Sequence, residues 1–357
     1  NYYRFCINYT KKSRAPMVYF QVTVNSTFAF LIALALILSH GGTVAPDILL
    51  NFIFYVLFTP MIATSFTKIM FMGEERMTVE DAIKRFDMIL SVKPLPEPET
   101  PEKPQDASVD FTDVTFRYKE DAAPAVSHLS FSIPAGQTVA FVGPSGSGKS
   151  TIAGLVSRFW DVESGSVRIG KQNVKKISKE DRVGTVSYVF QDSKLLKQSI
   201  ADNVRLAKPE ATEEEILSAL HLAQCDDILE KLPDGMHTVL GTKGTYLSGG
   251  EQQRIAIARA ILQDAPILVL DEATAFADPE NEVLVQKAFE TLAKDKTVIM
   301  IAHRLTTIQN ADCIFVMKKG KIAESGSHEA LLQKQGLYQQ MWKDYKSAVA
   351  WKVGESK

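Results

Sequence analysis

The sequence has no excess of charge of either sign. Forty Lys and Arg stand against 42 Asp and Glu, a formal net charge of −2. Without a basic surplus there is no electrostatic footprint for nucleic acid, and none is expected as a partner. Cysteine is scarce: Cys6, Cys225 and Cys313 are far apart and odd in number. That excludes a disulfide framework and a cysteine metal cluster and fits a reducing compartment. All three read as small buried hydrophobes. The chain opens at Asn1 with neither a methionine nor a signal-peptide pattern, so we expect it to be a fragment, or the ordered part, of a longer protein. Charge is also missing locally. From Met17 to Thr67 the only formally charged residue is Asp47, taking His40 as neutral.

That gap holds two apolar runs, "YFQVTVNSTFAFLIALALILS" at 19–39 and "ILLNFIFYVLFTPMIATSFT" at 48–67. Each is long enough to cross a bilayer of about 30 Å as a helix. Lys11, Lys12 and Arg14 precede the first run, Lys68 and Arg76 follow the second, and the turn between has no Lys or Arg. The positive-inside bias places both outer flanks in the cytoplasm. The other reading is a buried hairpin of a large soluble protein, which two adjacent uncharged runs disfavour. Gln21, Thr23, Asn25, Ser26, Thr27, Asn51, Thr59, Thr64 and Ser65 are polar positions within the runs. Either they line a substrate path or they bond to neighbouring helices. We favour the second for any single residue. Since a lone hairpin would leave them facing lipid, we expect further helices. Pro60 is a candidate kink.

With 357 residues the chain is too long for one ordinary domain. We expect a membrane fragment over 1–92, with spans near 18–39 and 48–67 and a cytoplasmic helical extension over 68–90. In that extension Met77, Val79, Ala82, Ile83, Phe86 and Ile89 recur at helical spacing. A linker follows over 93–108, with five prolines between 93 and 105. A soluble domain spans 109–345, and 346–357 is a tail. In the soluble domain "VDFTDVTFRY" and "LSFSI" alternate like strands. "TVAFVG", "APILVLDEAT" and "KTVIMIAHR" read as short buried strands beside helices, which points to a largely parallel sheet flanked by helices.

The chemistry-bearing motifs lie in this domain. "GPSGSGKST" comprises Gly143, Pro144, Ser145, Gly146, Ser147, Gly148, Lys149, Ser150 and Thr151. It has the glycines, Lys and Ser of a phosphate-binding loop at the required spacing, between a strand and a helix. Its backbone N–H groups would curl around phosphate oxygens, Lys149 would reach the outer phosphates and Ser150 would ligate Mg²⁺. "ILVLDEAT" ends a buried strand in two carboxylates. Asp271 would hold Mg²⁺ through water, and Glu272 would polarise the water that attacks the γ-phosphate. Three single residues carry weaker signals. Gln191 could meet the metal or the attacking water, His303 the γ-phosphate, and Tyr118, ending an early strand, adenine. Each read alone is structural. A second phosphate-facing element is "YLSGGEQQRIAIARAIL" at 246–262, a Ser-Gly-Gly turn running into a helix.

The order of these elements resembles the ATP-binding-cassette (ABC) transporters: phosphate loop, lone Gln, "LSGGEQQR", "LVLDEAT", Asp278 and "AHR". "LSGGEQQR" is similar to that family's signature sequence. The resemblance covers nearly all of 109–345. It implies an α/β P-loop NTPase (ABC ATPase) domain with a helical subdomain, preceded by an all-α transmembrane segment. The hairpin resembles the last two of six membrane helices of an exporter-type half-transporter. Tyr2–Tyr9 would then end a cytoplasmic loop. The resemblance also implies ATP and Mg²⁺ as cofactors and two ATPase domains meeting head to tail. Ser248, Gly249, Gly250 and Glu251 would face the γ-phosphate of the partner's ATP, and Asp278 would cross the interface. The partner is a second half-transporter, identical or different, with a heterodimer slightly favoured. Membrane lipid and a transported small molecule are the other expected partners, and the location is the cell (inner) membrane, multi-pass, with the ATPase in the cytoplasm. "ATAFADPENE" resembles siderophore importers of the yersiniabactin and mycobactin type. Export of drug, lipid or peptide is the alternative. A soluble cassette ATPase of DNA repair or translation is the rival from another class, and the apolar runs argue against it.

Overall fold

The computed structural model describes residues 2–39, 46–190, 193–241, 246–271, 279–302 and 305–354. The chain divides into two compact units, Asn1–Pro94 and Leu95–Lys357.

The first unit is two long helices, α1 (Tyr2–Ser39) and α2 (Pro46–Leu90). Tyr2–Tyr9, expected as the end of a loop, is part of α1. Nothing in its sequence breaks a helix, and α1 runs through Pro16 as well. α2 continues through Pro60, whose missing N–H removes the bond to the Val56 carbonyl. Among the described residues, Leu49–Phe66 is a window long and apolar enough to cross a membrane. Five of the polar positions have hydroxyls that bond within their own helix. Thr23, Thr27, Thr59, Thr64 and Ser65 each donate to a carbonyl four residues back, at Tyr19, Thr23, Tyr55, Pro60 and Met61. The helix satisfies these donors itself. Beyond the apolar window, Met77, Val79, Ile83, Phe86 and Ile89 stand exposed along α2. The ion pairs Arg76–Glu80 and Asp81–Arg85 join them on the same helix.

The second unit contains two sheets. Its strands and helices in chain order begin with β1 (Val109–Phe116), β2 (Val126–Ile133), β3 (Thr138–Val142) and α3 (Lys149–Val156). Next come β4 (Ser164–Ile169), β5 (Gln172–Asn173), α4 (Lys179–Thr185) and β6 (Val186–Val189). A helical stretch follows: α5 (Ile200–Arg205), α6 (Glu213–Leu222), α7 (Asp226–Lys231) and α8 (Gly249–Gln263). The chain returns to the sheet with β7 (Ile267–Asp271), α9 (Pro279–Ala293), β8 (Thr297–Ile301), β9 (Cys313–Lys318) and β10 (Lys321–Gly326). It ends with α10 (His328–Gln333) and α11 (Leu337–Gly354).

The six-stranded sheet has the order β10-β9-β3-β8-β7-β6. All its pairs are parallel except β10 with β9. β3, β7 and β8 are near-continuous apolar runs because both faces are covered. The two early strands do not join it. They pair with β4 and β5 in a separate antiparallel sheet, order β2-β1-β4-β5, beside the largely parallel sheet that the later apolar strands were expected to form. Alternation along β1 already marks it as half-buried, and a half-buried strand suits an antiparallel sheet. The two sheets share a core in which Phe131 meets Phe111, Phe141 and Phe315 at centroid distances of 4.5–5.3 Å. A second core lies between the β6/β7/β8 edge and α5, α6, α8 and α9. A third joins β3 and β9 to α10 and α11.

The Pro-rich stretch is fastened to the second unit from Leu95 onward. The Pro96 carbonyl accepts from buried Arg158 at 2.8 Å, and Glu97 pairs with buried Arg182 at 2.8 Å. Glu102 N donates to the Lys176 carbonyl at 2.8 Å. Cys225 is buried and Cys313 half-buried, both free, as expected for small core residues. The Cys6 side chain is outside the described residues.

Candidate nucleotide and metal site

The phosphate loop follows β3 directly. β3 lies inside its sheet between β8 and β9, so the loop leaves from a rigid strand end. Two glycines make the turn possible. Gly143 has φ +145°, and a Cβ there would lie 2.2 Å from the Met317 carbonyl oxygen. Gly148, the N-cap of α3, has φ +101°, and its Cβ would lie 2.6 Å from the Ala125 carbonyl oxygen. Both conditions exclude a side chain. The tip, Pro144, Ser145 and Gly146, is exposed, whereas Ser147, Lys149 and Thr151 are buried. Lys149 folds back over the loop, and Nζ donates to the Gly143 and Pro144 carbonyls at 2.9 and 3.1 Å. A cation is thereby held at the mouth of a backbone cradle. Ser147 Oγ is buried there without a protein hydrogen-bond partner. A buried orphan hydroxyl beside a cation and a helix N-terminus fits an anionic oxygen.

β7 brings Asp271 to the same place. Ser150 Oγ donates to Asp271 Oδ1 at 3.2 Å, across a separation of 121 residues. A hydroxyl and a carboxylate converging in this way are hard oxygen donors, which fits Mg²⁺. The second Asp271 oxygen accepts from the Tyr188 hydroxyl of β6 at 2.9 Å. Burial, followed by the charge and hydrogen bond of Asp271, pushes the Tyr188 phenol far above its ordinary range. Tyr188 therefore stays protonated and is the donor.

Tyr118 lies beyond the end of β1, which stops at Phe116 rather than at Tyr118. Its hydroxyl is 3.0 Å from Thr151 Oγ1, and its ring stands edge-on to Phe116 and Trp160. It is 52% exposed, so an aromatic surface borders the loop.

The Ser-Gly-Gly element begins α8. Ser248 is its N-cap in a reciprocal capping box: Ser248 Oγ accepts from Glu251 N at 3.3 Å, and Glu251 Oε2 accepts from Ser248 N at 2.7 Å. The Ser-x-x-Glu spacing carries that signal in the sequence. Glu251 is thus engaged in holding the turn. The amides of Gly249 and Gly250, in the first turn, have no intrahelical acceptor. Ser248 and Gly249 are exposed.

The last residue of the "LSGGEQQR" run fixes this helix. Arg254 is fully buried on α8. It binds both Asp227 oxygens at 2.6 and 3.0 Å, the Gln224 carbonyl, and Asn281 Oδ1 at 2.9 Å in the first turn of α9. In the sequence it closes the signature-like run and sits on the apolar side of a helix, but no buried partner is visible there. Gln191, Glu272, Asp278 and His303 lie outside the described residues.

The ABC transporter family pattern matches residues 126–275. The chain is similar to the mycobactin import ATP-binding/permease protein IrtA of Mycolicibacterium smegmatis, 46% identical over 244 residues, which are 68% of this chain and 28% of that protein. It is also similar to the ATP-dependent lipid A-core flippase of Desulfotalea psychrophila, 41% identical over 295 residues, 81% of this chain and 51% of that one. Among solved structures it resembles a bacterial Atm1-family ABC exporter with ATP bound. There the TM-score is 0.68 and the identity 34%, over 91% of this chain and 56% of that chain. The chain thus spans between about a quarter and about a half of the length of these relatives.

Proposed function

Because the chain belongs to the ABC transporter family, we propose that it is the ATP-hydrolysing subunit of an exporter-fold transporter, moving a small molecule across the cell membrane. The observation that carries this reading is the convergence of Lys149, Ser150 and Asp271 on one glycine-built cradle. The backbone of 143–151 binds the phosphates, and Lys149 moves from the Gly143 and Pro144 carbonyls to the outer phosphate oxygens. Tyr118 stacks on the base. Ser150 would ligate Mg²⁺ and Asp271 would hold it through water, with Gln191 at the metal or the attacking water. The metal, when bound, offsets negative charge on the phosphate oxygens. Glu272 orients and deprotonates the attacking water, and His303 bonds the γ-phosphate.

Ser248, Gly249 and Gly250 serve a different nucleotide, the one held by a partner subunit, and Asp278 crosses between the two. Supporting this, the capped N-terminus of α8 presents amides without an intrahelical acceptor at a turn where Ser248 and Gly249 are exposed, and a helix end favours an anion by up to about 2 kcal/mol. The apolar runs of α1 and α2 span the inner membrane, with the ATPase in the cytoplasm. Siderophore import is the favoured cargo reading, supported by similarity to a mycobactin importer. Lipid export is the second reading, supported by similarity to a lipid A-core flippase. The partner is a second half-transporter, a different chain by preference.

Replacing Glu272 by Gln tests the ATPase. The variant should bind ATP and hydrolyse it at least a hundredfold more slowly. Turnover near the parent rate would remove Glu272 from the chemistry. Sealed vesicles with ATP on a known side, tested with an iron–siderophore and with a lipid probe, separate the two cargo readings by direction.

A further inference from the structure

The Tyr188 hydroxyl has no place in the phosphate-loop or signature logic, yet it occupies one of the two oxygens of the carboxylate read as the metal holder. β6 and β7 are parallel neighbours, and Tyr188 is paired in register with Val269. Side chains two residues apart on a strand share a face, so Asp271 lies on the Tyr188 side of the sheet, about 6.6 Å further along. A phenol reaches that far, and few other uncharged side chains do. The hydroxyl arrives at Asp271 Oδ2 at 2.9 Å while Ser150 Oγ sits on Oδ1 at 3.2 Å. The ring itself is held independently. It stacks on Phe190 at 4.2 Å and packs against Phe159 at 5.4 Å between centroids. Tyr188 is thus a rigid arm whose only polar atom ends on the metal-holding carboxylate.

We propose that Tyr188 is a positioning residue for the metal. By holding Oδ2 of Asp271, it fixes the carboxylate so that Oδ1 faces the Ser150 hydroxyl and is set to orient the water through which Asp271 would hold the cation. This rests on the ATPase reading above. A carboxylate with one free oxygen turns about its terminal torsion at little cost, because that torsion is soft. Removing an outer-shell partner of a ligand lowers metal affinity by about 10- to 100-fold.

The test is Tyr188→Phe in the full-length subunit purified in detergent. This change deletes one oxygen and keeps the ring's contacts with Phe190 and Phe159. Mn²⁺, standing in for Mg²⁺, is titrated in the presence of ATP and followed by its electron paramagnetic resonance signal. ATP binding is measured separately in EDTA by fluorescence of a nucleotide analogue. We expect metal-free binding to equal that of the parent, Mn²⁺ to bind about tenfold more weakly, and excess Mg²⁺ to restore hydrolysis. Superimposable Mn²⁺ titrations would overturn the proposal. So would equal loss of nucleotide binding with and without metal, which would make Tyr188 a structural residue. If the parent binds neither ATP nor Mn²⁺, the ATPase reading fails and not this inference alone.

Discussion

Removing Asp227 leaves the Arg254 guanidinium charged, fully buried and without its counter-ion. The pair is asymmetric: the Arg254 side chain is 0% exposed and that of Asp227 39%. Asp227→Ala strands the buried charge with only neutral acceptors, the Gln224 carbonyl and Asn281 Oδ1. Breaking a buried pair from one side costs about 3–5 kcal/mol, and the two remaining acceptors place this case near 3 kcal/mol. Arg254→Met leaves instead a carboxylate that water can reach and that keeps Lys231 at 3.6 Å, at a cost of about 1–2 kcal/mol. The double substitution should be more stable than Asp227→Ala alone, since the unpaired charge is gone. A shift of about 3 kcal/mol lowers the midpoint of thermal unfolding by roughly 6–10 °C in a domain of this size. The assay is thermal unfolding of all three variants at pH 7, with ATP hydrolysis measured in parallel. Arg254 lies on the helix that begins at Ser248 and grips the first turn of α9, so hydrolysis should fall along with stability. Burial pulls the Asp227 pKa up, but the hydrogen bonds and charge of Arg254, with Lys231, outweigh it and hold the pKa below the usual Asp value. A lowered folded-state pKa means that the stabilisation is fully present above about pH 4 and is lost as pH falls through the depressed value. Equal destabilisation by Asp227→Ala and Arg254→Met, or a double variant worse than both, would refute this reasoning.

Two further outcomes are expected. Gly143→Ala should abolish ATP binding and lower the unfolding midpoint, because its Cβ would meet the Met317 carbonyl at 2.2 Å on a backbone with φ +145°; unchanged nucleotide affinity by fluorescence titration would contradict it. Ser248→Arg should leave nucleotide labelling of this chain's own loop intact while hydrolysis in the assembled transporter falls at least tenfold, and unchanged hydrolysis would count against a shared site.

What the sequence made readable was contiguous. "TVAFVGPSGSGKST" states a strand, a glycine turn and a helix in one run, and β3, the loop and α3 follow it. "ILVLD" is apolar to its last residue, and β7 ends with Asp271 at the loop. What was hidden depends on distant pairing. Alternation in "VDFTDVTF" says that one face is buried but not which sheet the strand joins. β4 and β5, which complete that sheet, come after the phosphate loop in the chain. The Tyr188–Asp271 bond spans 83 residues and follows from parallel register, which no local pattern encodes. Arg254 reads as one more charge in "EQQRIAIAR", and only the packing of α7 and α9 around it shows that it is buried. The prolines of 93–105 announce a boundary, but the donors that fasten Pro96 and Glu97 lie on Arg158 and Arg182.

The central claim is that the signature turn of this chain touches a nucleotide held by another chain. It is tested most directly by trapping with an ATP analogue that carries a thiol-reactive group on its γ-phosphate. The chain would carry Ser248→Cys and Lys149→Ala together and be assembled with an otherwise unmodified partner. The account predicts that the introduced thiol is still labelled, because the nucleotide comes from the partner's phosphate loop. It also predicts that labelling is lost when the phosphate-loop lysine is replaced in the partner instead. Labelling that depends on Lys149 of the same chain would contradict it.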